Sequence, residues 1–164
     1  MNEKNIEQIV REVVRRMKSS SVNAGIKMNL SLAVKLMERV EAEAARIGVK
    51  AVVAVSDASG RPIAVHCMDG AYIGSYGIAL NKTYTAVAFQ MSTAKLAELA
   101  APGGSLYGIQ HTNEGKIVIF GGGEPLYAGD EMIGAIGVSG GTAEQDIYLG
   151  TYGKNILKEV ISWK

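Results

Sequence analysis

The side chains able to hold a metal are few, and three of them are adjacent. His66, Cys67 and Met68 follow one another, and His111 stands apart in the second half of the chain. Either imidazole is a candidate axial ligand for a haem iron, with Met68 or Cys67 as a second ligand, because imidazole, thioether and thiolate are donors that haem iron accepts. Two imidazoles are too few for a protein-only zinc site without carboxylate help, and neither falls in an H-E-x-x-H spacing. The competing reading for His66 is structural, since histidine is often partly buried. Cys67 is the only cysteine, which excludes an internal disulfide, a Cys-rich zinc site and a C-x-x-C-H haem attachment. No serine, histidine and carboxylate stand in a pattern that suggests a catalytic triad.

Two glycine-rich segments offer backbone rather than side-chain chemistry. Gly121, Gly122 and Gly123 precede Glu124 and Pro125, but neither G-x-G-x-x-G nor G-x-x-x-x-G-K-[ST] is satisfied. A close backbone approach is the structural reading and a ligand lying over the backbone the functional one. Ser139, Gly140, Gly141 and Thr142 lead into Glu144, Gln145 and Asp146, where T-x-x-Q forms a capping box. Free N–H groups there could hold an anion such as a carboxylate. Glu144 and Asp146 already complement the helix dipole, so simple helix initiation competes with anion binding.

The elements that must position these residues are legible from periodicity. Leu30, Val34, Met37, Val40, Ala44 and Ile47 define an amphipathic helix with Asn29 as N-cap and Gly48 as stop. The unbroken apolar run 51–55 reads as a central strand covered on both faces. Residues 57–60 form a turn, and Ile63, Val65 and Cys67 alternate with Ala64, His66 and Met68 in a second, hairpin strand. His66 therefore falls on the face opposite Val65.

A helix over about 75–90 follows through Ile78, Ala79, Lys82, Ala86 and Phe89, with a shorter one from near Ser92. Residues 116–120 (Lys-Ile-Val-Ile-Phe) read as a third strand, Leu126, Tyr127 and 132–138 supply the last strands, and Thr142 opens a helix running to about Val160. The hairpins imply a mainly antiparallel sheet of about five strands with helices on both faces, an α+β fold.

Ahead of this domain, Ile6, Ile9, Val10, Val13, Val14 and Met17 form one apolar stripe at helical spacing. Residues 1–18 are expected to be an amphipathic helix, 19–25 a polar linker, and 26–164 the domain. A helix of this length needs a surface on which to bury its stripe. A groove on a partner protein, the chain's own domain and a symmetry mate are the options. The stripe lacks Phe and Trp and its polar face mixes acidic with basic residues, which disfavours a membrane surface.

A chain of 164 residues suffices for one well-packed core but not two. A net charge of +1 gives no basic field to attract nucleic acid. No segment approaches the roughly 20 apolar residues of a membrane span, and the first twenty residues carry Glu3, Glu7 and Glu12, unlike a signal peptide. A cytoplasmic protein is expected, without nucleic acid or membrane as partner.

Several segments in chain order resemble the GlcG and HbpS-like haem-binding family, which includes the C-terminal domain of PduO-type corrinoid proteins. They are VSDASGRPIAVHCMDGAYIGS, ALNKTYTAVAF and GSLYGIQHTNEGKIVIFGGGEPLYAGDEMIGAIGVSGGTAEQD, preceded by the long helix, and together they cover about residues 26–160. The resemblance implies a profilin-like antiparallel sheet, assembly into homo-oligomers, often octamers, and tetrapyrrole binding. Haem is the implied cofactor, with corrinoid or flavin as alternatives. PduO-type proteins adenosylate corrinoids with a different domain that this chain lacks.

The early helix contains no histidine, which leaves His66 and His111 as the candidate iron ligands. Met68, Gly121, Gly122, Ser139, Gly140, Gly141 and Thr142 complete the expected cofactor contacts, the 139–142 loop receiving a propionate or other anionic edge. The N-terminal stripe resembles the encapsulation peptides of bacterial microcompartment cargo, which implies shell or cargo proteins as partners and a place in the compartment lumen. The expected function is a haem- or tetrapyrrole-binding accessory protein. A flavin- or corrinoid-dependent reductase and a cofactor-free structural oligomer are the alternatives.

Overall fold

The computed structural model describes residues 25–162, together with Asn5, Glu7 and Arg11 nearer the N-terminus. The expected 1–18 helix, with Ile6, Ile9, Val10, Val13, Val14 and Met17, lies outside the described residues.

Helix α1 (Leu30–Arg46) starts where the Asn29 side chain accepts the Leu32 N–H at 3.0 Å, the N-cap the sequence predicts. Its buried face is Leu32, Ala33, Leu36, Met37, Val40 and Ala44: of the expected stripe Met37, Val40 and Ala44 are buried, Val34 and Ile47 are only partly so, and Leu30 in the first turn is exposed, its place taken by Leu32 and Leu36. Strands β1 (Val52–Asp57) and β2 (Pro62–Cys67) form the hairpin. Helices α2 (Ile73–Phe89) and α3 (Thr93–Ala100) come next, then a loop with two short 3₁₀ turns. Strands β3 (Gly123–Ala128) and β4 (Glu131–Ser139) and helix α4 (Ala143–Ser162) complete the chain.

All strand pairs are antiparallel, in the order β2-β1-β4-β3. The two central strands are the most apolar because both their faces are covered. Val53, Val55, Ile136 and Val138 pack with α1 and α4 in the main core, while Val52 and Ala54 meet Ala79 of α2 on the other face. Helices thus cover both faces. Truncating a fully buried residue such as Leu36 to alanine would cost roughly 2–5 kcal/mol.

The sheet has four strands rather than about five, because the 116–120 run joins no ladder. Ile117 and Val118 are buried as expected of a strand. Their backbone nevertheless bonds to helix α2: the Val118 N–H donates to Thr85 Oγ1 at 3.0 Å, and Thr85 Oγ1 lies 3.3 Å from the Lys116 carbonyl. A β-rich apolar run can bury itself as an extended strap under a helix when a side-chain hydroxyl satisfies the groups a ladder would otherwise pair.

No helix among the described residues is long and apolar enough to cross a membrane.

Candidate functional site

Strands β2 and β4 end at the same edge of the fold, since Val52 of β1 pairs with both Cys67 and Ser139. Helices α2 and α4 begin near that end. Between them opens a cleft of about 370 Å³ whose walls include Tyr72, Ser75, Ile78, Phe120, Ser139 and Asp146, with Gly140 and Gly141 at the loop. Ser139 Oγ donates to Ser75 Oγ at 3.2 Å, and both side chains are buried.

The start of α4 satisfies much of itself. Thr142 N–H donates to Gln145 Oε1 at 2.9 Å and Gln145 N–H to Thr142 Oγ1 at 3.3 Å, the reciprocal capping box that T-x-x-Q predicts. Gly141 N–H donates to Asp146 Oδ1 at 3.0 Å. Of the 139–142 loop, Ser139, Gly140 and Gly141 line the cleft and Thr142 does not.

Beneath the cleft lies a charged pair. Lys82 is fully buried, and its ammonium donates to Asp146 Oδ2 at 2.8 Å and to the Val138 carbonyl at 2.6 Å. The same nitrogen stands 4.8 Å from the centroid of the Phe120 ring, a cation–π contact from behind the cleft wall. Burial pushes the Lys82 pKa below its ordinary 10.5, with the Asp146 charge acting in the opposite sense.

The Gly121 and Gly122 backbone runs against this pair. A Cβ on Gly121 would sit 2.1 Å from Ile147 Cγ1. Gly122, at φ +111, would place one 2.6 Å from the Val138 carbonyl and 2.8 Å from Lys82 Nζ. Close backbone approach thus accounts for both glycines.

His66 faces the other side of the sheet. Val53, its register partner, lies in the core under α1, and His66 Nδ1 is 2.6 Å from Glu41 Oε1 on that helix. In the neutral tautomer that directs Nδ1–H at the carboxylate, Nε2 carries the lone pair; the ring has no other hydrogen-bond partner among the described residues. A carboxylate that holds one ring nitrogen orients the ring for ligation through the other, the second-sphere arrangement typical of metal-binding histidines.

The remaining candidates are dispersed. Met68 packs against the main core and its sulfur accepts the Ala51 N–H at 3.4 Å. His111 is exposed in the first 3₁₀ turn, with only Gln110 beside it at 3.4 Å. The neighbouring turn is tied to α2 through Asn113 and the Tyr84 hydroxyl, about two and a half turns from the cleft residue Ser75. In a single chain, therefore, neither imidazole lines the cleft. Among the described residues, no three histidines, cysteines or carboxylates gather where a metal could be held by protein alone.

Sequence reasoning passed over Ser75, Phe120 and Tyr72 as site residues and did not pair Lys82 with Asp146. One signal was available: a lysine on the apolar stripe of α2 must find a buried counter-charge. The cap and first turn of α2 also expose an apolar patch, with Tyr72 at 74%, Ile73 at 98% and Tyr76 at 51% accessibility.

Comparison with known proteins covers most of this domain. Residues 28–153 match the family described as haem degrading protein HbpS-like. A 15.0 kDa protein from the dhaT-dhaS intergenic region of Citrobacter freundii is 45% identical over 119 residues, spanning 73% of this chain and 84% of that protein. The corrinoid adenosyltransferase PduO of Salmonella typhimurium is 38% identical over 104 residues, 63% of this chain but only 31% of PduO. A solved PduOC complex with haem superposes with a TM-score of 0.76 at 32% identity, covering 79% of this chain and 94% of that one.

Proposed function

Since the chain belongs to the HbpS-like family of haem-degrading proteins, we propose that it is an accessory protein that binds haem or a related tetrapyrrole between subunits of a homo-oligomer, with His66 as iron ligand. The observation that carries this reading is the His66–Glu41 pair: a half-exposed imidazole whose Nδ1 is held at 2.6 Å by a carboxylate, leaving Nε2 for a metal. The PduOC complex with haem, similar over most of this domain, supports the cofactor.

The residues fit such a group in two parts. Glu41 orients the ring, and the tautomer with Nδ1–H toward that carboxylate leaves Nε2 to a metal. The exposed Tyr72, Ile73 and Tyr76 supply apolar surface of the kind a porphyrin face or a subunit contact covers. His66 lies on the α1 side of the sheet and this patch on α2, so a site using both draws them from two copies. Bound haem supplies a redox-active iron; burial and the imidazole ligand would set its potential.

We further propose that residues 1–18 serve as an encapsulation helix, placing the protein in the lumen of a bacterial microcompartment with shell or cargo proteins as partners. The apolar stripe followed by a polar linker supports this.

Haem titration of the purified protein, followed by visible absorption, tests the cofactor. A saturable Soret shift is expected, weakened in His66→Ala and retained in His111→Ala. Absence of a shift, or equal behaviour of all three proteins, overturns the reading, and flavin fluorescence of the isolated protein would favour the reductase alternative. Deletion of residues 1–20 is expected to leave folding and assembly unchanged while abolishing co-sedimentation with shells.

A further inference from the structure

The cleft between α2 and α4 holds buried polar groups that the haem reading does not use. Asp146, Ser75 and Ser139 are each at least 95% buried and all three line it. Their hydrogen-bonding capacity is only partly spent. Ser139 gives its proton to Ser75, while the Ser75 hydroxyl donates to no acceptor among the described residues. Each Asp146 oxygen accepts one bond, from Lys82 or from Gly141, and a carboxylate oxygen can accept more. The cleft thus offers one hydroxyl donor beside several acceptors, with Ile78, Phe120 and Tyr72 as apolar walls.

Charge decides the class of ligand. Asp146 and Lys82, 2.8 Å apart, neutralise each other, so the site presents no net charge to attract an ion. The helix N-terminus would ordinarily favour an anion. Here the Gly141 and Thr142 N–H groups are already taken by Asp146 and Gln145. A ligand carboxylate would face the Asp146 carboxylate, and an ammonium would come close to the buried Lys82. A hydroxyl both donates to Asp146 and accepts from Ser75 without either penalty.

We propose that this cleft is a binding site for a small, neutral, hydroxylated molecule such as a short-chain diol. Its volume of about 370 Å³ is at the lower end of the range for small-molecule pockets. No imidazole lines this cleft, and Tyr72 is the residue it shares with the haem reading.

Saturation-transfer NMR with butane-1,2-diol, butyrate and butylammonium as matched probes tests the proposal. Transfer to the diol is expected at millimolar concentration, with affinity at least fivefold above that for either ion. Ser75→Ala should lower diol affinity about tenfold. Gly74→Leu should lower transfer: Gly74 lines the cleft and a Cβ there meets nothing within 4 Å, so bulk can be added at the cleft wall without displacing protein. Equal or stronger transfer to butyrate or butylammonium, or unchanged diol binding in Gly74→Leu, overturns the proposal. His66→Ala should bind the diol normally, which separates this outcome from failure of the haem reading.

Discussion

Replacing Lys82 by methionine removes the charge while keeping most of the volume, and it isolates what the buried pair contributes. At 2.8 Å and an effective dielectric constant of about 20, the Coulomb attraction is about 6 kcal/mol. Removing two ions from water costs several kcal/mol each, so the intact pair is close to neutral for stability. The single substitution behaves differently, because Asp146 stays buried with Gly141 N–H as its remaining partner. Stranding that charge should cost roughly 3–5 kcal/mol, a fall in Tm of roughly 6–20 °C for a domain of this size. Urea unfolding followed by far-UV circular dichroism measures it.

The double variant Lys82→Met with Asp146→Leu should recover much of the loss. Its remaining cost comes from the Gly141 N–H and the Val138 carbonyl, which lose their side-chain partners, roughly 1–3 kcal/mol per group left unpaired. The wild type should also gain stability as pH rises from the lowered Lys82 pKa toward 10.5. In that window the unfolded lysine binds the proton and the native one has released it. Lys82→Met lacks this rise. Costs of the two single substitutions that simply add in the double variant would refute the pairing as the source of the effect.

Gly122→Ala should destabilise by roughly 2–5 kcal/mol in the same urea assay, combining left-handed strain with overpacking against Val138 and Lys82. Glu43 is held at about 2, below its ordinary 4.5, chiefly by Arg46 and then by the Tyr148 hydroxyl of α4. Its stabilising contribution is complete above pH about 4.5 and lost as pH falls toward about 2. Acid unfolding of Glu43→Gln should therefore show a flatter limb across that window than the wild type. Thr85→Val removes the hydroxyl that accepts from Val118 N–H, and should cost roughly 1–3 kcal/mol by orphaning that buried group. Amide exchange at Val118 should rise with it.

Local rules sufficed where one segment determines its own conformation. Asn29 caps α1, the T-x-x-Q box caps α4, and the unbroken 51–55 run contains the start of a central strand, each as its own neighbours dictate. The face of His66 was also legible, because strand alternation alone sets it against Val65. Residues 116–120 show the limit: apolar content announces burial, but whether the backbone pairs with a strand or with Thr85 is decided 31 residues away in sequence. The cleft was illegible for the same reason. Tyr72 caps α2 and Ser75 lies in its first turn, Phe120 comes from the end of the 116–120 strap and Ser139 from the end of β4, and only the tertiary fold brings them together. Lys82 stood on the apolar stripe in plain view, yet its partner lies 64 positions on.

The central claim, that the His66 imidazole held by Glu41 is an iron ligand, is tested most directly by the Soret band of haem-loaded His66→Ala with and without added imidazole. Loss of the wild-type band position in the variant and its return with free imidazole is the predicted result. A variant whose haem spectrum matches the wild type without imidazole would contradict the account.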